Sequence, residues 1–392
     1  MAAGLTGTTG CLRLQTDGES TPRESEAPRG SSTPSETPSD GTSTNGGANE
    51  ITLTETWTDE NGVDNIWTRE GTFYYNGYNY AAEASHDDGV RWSAETTRDG
   101  VDGNLGADAF AADDSYVVFG VTPDGEHEDE GAHFHAYRRY DGERMWVAAA
   151  PSDGTHNLAA GATMVDDTAV LAISDYGEGD ERAPLVYGVD IETGGTRWQA
   201  DETVFPPSYI RYVDSYDGEV YVGLQESVQT LAGDTGEAIE THDWYAGTYR
   251  LESLAQIHGN TLFTAWIDTL DAHPVGDNGV SWSNADLGRV YTTPVIDNSL
   301  VVVGTGEGNV YAFERQSGEI RWETGITNAV AAMETTDSHV WVGDTEIGLT
   351  AYDRETGSLV HRSTKPVNGD DIAVADGRLL LGGDTATAYT ID

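Results

Sequence analysis

One short pattern recurs seven times in this chain, and few folds can accommodate it. A glycine-containing turn is followed three or four residues later by a fixed position, which is tryptophan in five copies. The pairs are Gly89–Trp92, Gly142–Trp146, Gly194–Trp198, Gly279–Trp282 and Gly318–Trp322. Two further copies keep the turn and replace the aromatic, Gly236–Glu240 and Gly357–His361. The fixed positions are spaced by 54, 52, 42, 42, 40 and 39 residues. A period near forty residues marks a repeat architecture in which each unit buries its apolar face only against its neighbours. The glycine suits a tight turn that needs positive φ. A tryptophan that packs sideways on the next unit would bury roughly 150–250 Å².

The clearest unit runs from Asp297 to Gly325. It reads as a strand at Leu300–Val303, a glycine-rich turn, a second strand at Asn309–Phe313, a turn ending in Gly318, and a third strand carrying Trp322. A preceding strand, Thr292–Ile296, makes four antiparallel strands per unit. Seven units are complete. Asp371–Asp392 supplies three strands of an eighth, and Glu50–Trp57 alternates like a lone strand that can complete it from the other end of the chain. The expected fold is therefore all-β, an eight-bladed β-propeller of four-stranded antiparallel blades, with seven blades if Glu50–Trp57 is only linker. Ring closure leaves no unpaired junction.

The segment Tyr311–Trp322 follows the pattern Tyr-Ala-x-(Asp/Glu)-x-x-(Thr/Ser)-Gly-x-x-x-Trp, with partial matches at Tyr187–Gly194 and Ala351–Gly357. This resembles the PQQ-like, tryptophan-docking repeat of quinoprotein alcohol dehydrogenases and of BamB-type lipoproteins. The resemblance spans the propeller, residues 50–392. It implies a blade-docking role for Trp92, Trp146, Trp198, Trp282 and Trp322.

Quinoprotein dehydrogenases typically carry a vicinal cysteine pair beside the quinone, a calcium held by acidic and asparagine side chains, and an aspartate base. Here Cys11 is the single cysteine and lies outside the repeats. No Gly-x-Ser-x-Gly elbow, His-Glu-x-x-His pair or phosphate-binding loop is present. No catalytic residue and no cofactor is expected; PQQ and Ca²⁺ belong to the alternative reading as an oxidoreductase. His133 and His135, two apart on one strand face, are the nearest approach to a transition-metal pair.

The first fifty residues differ in kind. Small residues precede Cys11 as in a lipobox, which makes Cys11 the expected lipidation site. Thr8 stands where a large aliphatic residue is usual, and no charged or apolar signal region precedes it within residues 1–11. Residues 1–11 thus read as the end of a longer lipoprotein signal, of twin-arginine type. Residues 12–49 hold thirteen Ser or Thr, four Pro and no aromatic, too little apolar surface to fold. As a flexible tether they reach roughly 35 Å. No run of eighteen apolar residues occurs, so a lipid at Cys11 is the expected membrane contact and the protein is placed outside the cytoplasmic membrane.

Acidic residues number 68 against 20 basic, of which only Lys365 is lysine, for a net charge of −48. At low salt such a surface repels itself; in molar salt the screening length falls to about 3 Å. Acid excess spread along the chain with almost no lysine is the composition expected of a haloarchaeal protein. No basic stripe exists to neutralise phosphates, which argues against nucleic acid as partner. The long spacings of two consecutive units come from insertions between their second and third strands. These bring Glu126, Glu128, Asp129 and Glu130 beside Glu178, Asp180 and Glu181 as an expected acidic lip, a place for a partner or Ca²⁺. The expectation is a monomeric, non-catalytic surface propeller that binds a protein or small ligand.

Overall fold

Alternation of apolar and polar residues over five to seven positions, broken by glycine turns, forces short strands. The computed structural model describes residues 51–392 except 64, 78, 86–88, 98–102, 124–130, 151–157, 175–183, 201, 225–226, 243–253, 278, 291, 345–347, 364–370 and 384. Its strands form eight four-stranded antiparallel sheets, each a meander. Blades 1 to 7 span residues 65–95, 103–149, 158–199, 212–242, 254–284, 295–325 and 330–362. Blade 8 takes its first three strands from residues 372–391, and its fourth is Leu53–Asp59 from the other end of the chain. That strand pairs with Ala386–Ile391, and Thr52 and Asp392 exchange two backbone hydrogen bonds of 3.0 and 2.9 Å at its end. The eight-bladed ring is thus closed by a shared blade, and Leu53–Trp57 is strand and not linker.

At six of the eight junctions the first strands of successive blades lie against one another, which makes them the inner strands of the ring. The core is divided in the same way. Eight apolar clusters each join residues of two neighbouring blades, so every junction has its own core. The junction of blades 4 and 5 holds the smallest, built on Tyr212, Tyr221, Val228, Ile257 and Leu262.

Blade 6 follows the sequence reading closely. Its second, third and fourth strands are Leu300–Gly304, Asn309–Glu314 and Ile320–Gly325. Its first strand is shorter than expected, Val295–Ile296, because Pro294 has no N–H to give the ladder. Upstream of it, the Thr292 hydroxyl accepts a hydrogen bond from the Gly304 N–H instead (3.0 Å). Among the described residues no helix is long and apolar enough to cross a membrane.

Candidate functional site

The recurring turn between third and fourth strands has one geometry in blades 2, 3, 4, 6 and 7. The N–H of its glycine donates to the carbonyl four residues back, as from Gly318 to Glu314 (2.8 Å) and from Gly357 to Asp353 (2.8 Å). Asp190 and Asp353 cap it: the Asp190 Oδ1 accepts from the Thr193 N–H (2.9 Å) and hydroxyl (2.8 Å), and Asp353 does the same for Thr356. This is the physical content of the acid-x-x-Thr-Gly spacing. The glycine φ values are 66–71°.

The tryptophan of the preceding blade lies flat on that glycine. A Cβ on Gly318 would sit 2.6 Å from the Trp282 ring, and one on Gly357 2.7 Å from Trp322. Each indole N–H donates to the carbonyl three residues before the glycine: Trp92 to Arg139 (2.7 Å), Trp146 to Ile191 (2.7 Å), Trp198 to Gly233 (3.0 Å), Trp282 to Arg315 (3.0 Å) and Trp322 to Arg354 (2.8 Å). Just before this position most outer strands carry a bulge, which re-aims the ring toward the next blade.

The two substituted positions face blades that lack this turn. Glu240 is exposed opposite a longer connection, where Gly276 meets nothing within 4 Å. His361 faces blade 8, whose third and fourth strands come from opposite chain ends and share no turn. Its Nδ1 lies 3.0 Å from the Ile51 carbonyl, which can only accept. A sixth docking tryptophan, Trp57, at the eighth of these positions, was not legible as one in the sequence: it pairs with Ala388, as Trp322 pairs with Ala312, and lies on Gly89 of blade 1.

His133 and His135 do share a strand face, their rings 5.0 Å apart. Both are fully buried in the junction of blades 1 and 2, and the His135 ring stacks on Tyr137. Among the described residues no three metal-ligating side chains come together. Glu126, Glu128, Asp129, Glu130, Glu178, Asp180 and Glu181 lie outside the described residues, as does Cys11. The flanking strands, Tyr116–Pro123 with His133–Arg138 and Thr168–Ser174 with Leu185–Asp190, place both insertions between second and third strands.

A cavity of about 300 Å³ opens where the inner strands of blades 5 to 8 end, on the face of the Thr-Gly turns. Gln256, Asp297, Asn298, Glu334, Asp337, Arg354 and Val374 contribute to its wall. Arg354 is committed: its guanidinium grips the Asp297 Oδ2 (3.0 and 2.5 Å) and reaches Glu355 (3.0 Å). Glu334 is 5% exposed; its Oε1 accepts from the Thr335 N–H (2.9 Å), and its Oε2 is buried without a hydrogen-bond partner. Burial, helped by the charge of Asp371, pushes this carboxyl up to about 8.

Asp214 holds the corresponding place in blade 4. Both acids stand opposite an aromatic of the second strand, Tyr221 and Trp341. Asp214 is satisfied, accepting from the backbone N–H of Ile257 in blade 5 (2.9 Å) and of Ser215 (2.7 Å). The same inner-strand acid therefore staples one junction and is left open in the other. The sequence hid Glu334 because one acid among 68 carries no signal, and its cavity is assembled from four blades.

Fold and docks together define an eight-bladed, tryptophan-docked β-propeller. Residues 265–392 match the family model described as outer membrane protein assembly factor BamB, a PQQ-like repeat family. No curated protein matches the chain in sequence. Among solved structures, BamB from Moraxella catarrhalis is similar with a TM-score of 0.64 at 16% identity, over 86% of this chain and 100% of that one. The quinohemoprotein alcohol dehydrogenase of Comamonas testosteroni gives 0.63 at 12%, over 86% and 76%. The C-terminal WD40 domain of Sif2 gives 0.66 at 11%, over 87% and 98%. At such identities the likeness is one of fold.

The dehydrogenase likeness raises PQQ, a planar tricarboxylate. The cavity does not suit it. Asp297, Glu334 and Asp337 would face its carboxylates, and the one guanidinium among the described lining residues is already paired with two acids.

Proposed function

We propose that this chain is a lipid-tethered, extracytoplasmic scaffold of a salt-adapted cell, binding a partner protein on a rigid propeller and catalysing no reaction. The observation that carries this reading is the match of residues 265–392 to the BamB family. BamB's printed role, outer membrane protein assembly, is a scaffold's role and needs no catalytic constellation; what transfers is the mode of action, a closed ring presenting loops. The lone Cys11, the Ser/Thr/Pro-rich residues 12–49 and the net charge of −48 support the tether and the salt-rich setting.

Fractionation of the protein expressed from its own gene tests the tether. The wild type partitions with membranes and Cys11→Ser is released; a serine variant retained as fully as the wild type refutes the lipid anchor. The quinohemoprotein likeness keeps an oxidoreductase as the competing class. Alcohol oxidation by the purified protein with added PQQ and Ca²⁺ would establish that class in place of the scaffold.

A further inference from the structure

We propose that the cavity at the inner ends of blades 5 to 8 binds a small organic cation through a primary ammonium group, held by Glu334 and the Asp337 carboxylate. Its volume of about 300 Å³ is at the small end of ligand pockets and far larger than a bare ion needs. Among the described residues the wall carries three acids and one base. Arg354 is paired with Asp297, so no described cation is left for Glu334 or the exposed Asp337.

A buried acceptor without a donor is costly and rare, and the Oε2 of Glu334 is one, whereas Asp214 at the matching place has its donors from the backbone. A primary ammonium brings three N–H donors and the missing positive charge. Among the described residues no aromatic side chain lines the cavity, so these supply none of the ring faces on which quaternary ammonium ligands rely. The inference is independent of the tether and of any protein partner, since it concerns the isolated propeller.

The pocket predicts its own signature. Unliganded, the carboxyl titrates near 8 because burial and Asp371 favour its neutral form. An ammonium beside it stabilises the carboxylate, so binding at neutral pH expels a proton.

The test is calorimetric titration of the purified protein in molar potassium chloride with n-butylammonium, in two buffers of different ionisation enthalpy. Tetramethylammonium and 1-butanol serve as controls. Saturable 1:1 binding of butylammonium with proton release is expected, and neither control competes. Glu334→Gln, isosteric with the neutral acid, weakens binding by about tenfold or more, as loss of a charge-assisted bond implies, and abolishes proton release. Should that variant fail to fold, Asp337→Asn, at an exposed position, weakens binding while leaving proton release in place. Absence of saturable binding to the wild type, equal affinity for tetramethylammonium, or undiminished affinity in the variants overturns the proposal.

Discussion

Trp57 lies across Gly89, its Cγ 3.7 Å from where a Cβ on that glycine would stand. The two residues belong to blades 8 and 1, so this contact closes the ring. It is a looser version of the five docks along the chain, where the ring comes within 2.3–2.7 Å of the corresponding point and the indole N–H reaches a carbonyl. The Trp57 Nε1 is instead buried without a hydrogen-bond partner. Trp57→Ala therefore loosens the one junction made by chain ends. A loss of about 3 kcal/mol is expected for truncating a packed tryptophan. Thermal melting in high salt checks it; an unchanged melting temperature means that the strand pairing alone closes the ring.

Trp322 and Glu240 occupy corresponding positions with opposite surroundings. Trp322→Ala removes a buried ring and a 2.8 Å hydrogen bond to Arg354 and is expected to cost about 3–5 kcal/mol. Glu240→Ala changes an exposed side chain and should stay within about 0.5 kcal/mol. Trp322→Phe keeps most of the ring and isolates the hydrogen bond, at about 1 kcal/mol. Denaturant midpoints for the three variants provide the comparison, and equal costs for Trp322→Ala and Glu240→Ala contradict the dock.

How much of this was legible beforehand follows from how local each signal is. The turn glycine and its tryptophan sit within four residues, so Gly318–Trp322 could be read directly, and the period then gave blades and closure. Trp57 could not be recognised as a dock because its turn is replaced by two chain ends and its platform, Gly89, lies across the closing junction. The start of blade 6 moved to Val295 because Pro294 interrupts the ladder. Glu334 was invisible because its character comes from burial among blades 7 and 8, which no local pattern encodes.

Glu334 makes stability depend on pH. Its carboxyl is pushed up to about 8 in the fold and lies near about 4.3 in an unfolded chain. The folded state therefore holds the proton more tightly, and this contribution is complete below the unfolded value and is lost as pH rises through the folded one. Asp214, pushed up to about 6 by burial, acts in the same direction over a narrower window. The groups that face Glu334 are Asp371, Asp337 and the Asp297–Arg354 pair. Between about pH 5 and 8 the wild type should lose several degrees of melting temperature relative to Glu334→Gln. Parallel pH profiles for the two proteins show instead that Glu334 is solvated.

Salt should stabilise the fold. With a net charge of −48, repulsion among surface carboxylates is screened only as the screening length falls from about 7 Å at 0.2 M to about 3 Å near 1 M. The melting temperature is expected to climb steeply between about 0.2 and 2 M potassium chloride. A flat profile removes salt adaptation from the account.

The scaffold claim is tested most directly by cross-linking the tagged protein in native membranes at molar salt, isolating it, and quantifying the attached proteins by mass spectrometry. The account predicts one reproducible partner at near-equal abundance, cross-linked to propeller residues 51–392 and absent when Cys11→Ser frees the protein from the membrane. A propeller recovered alone from membranes, carrying quinone absorbance and oxidising alcohols, would contradict it.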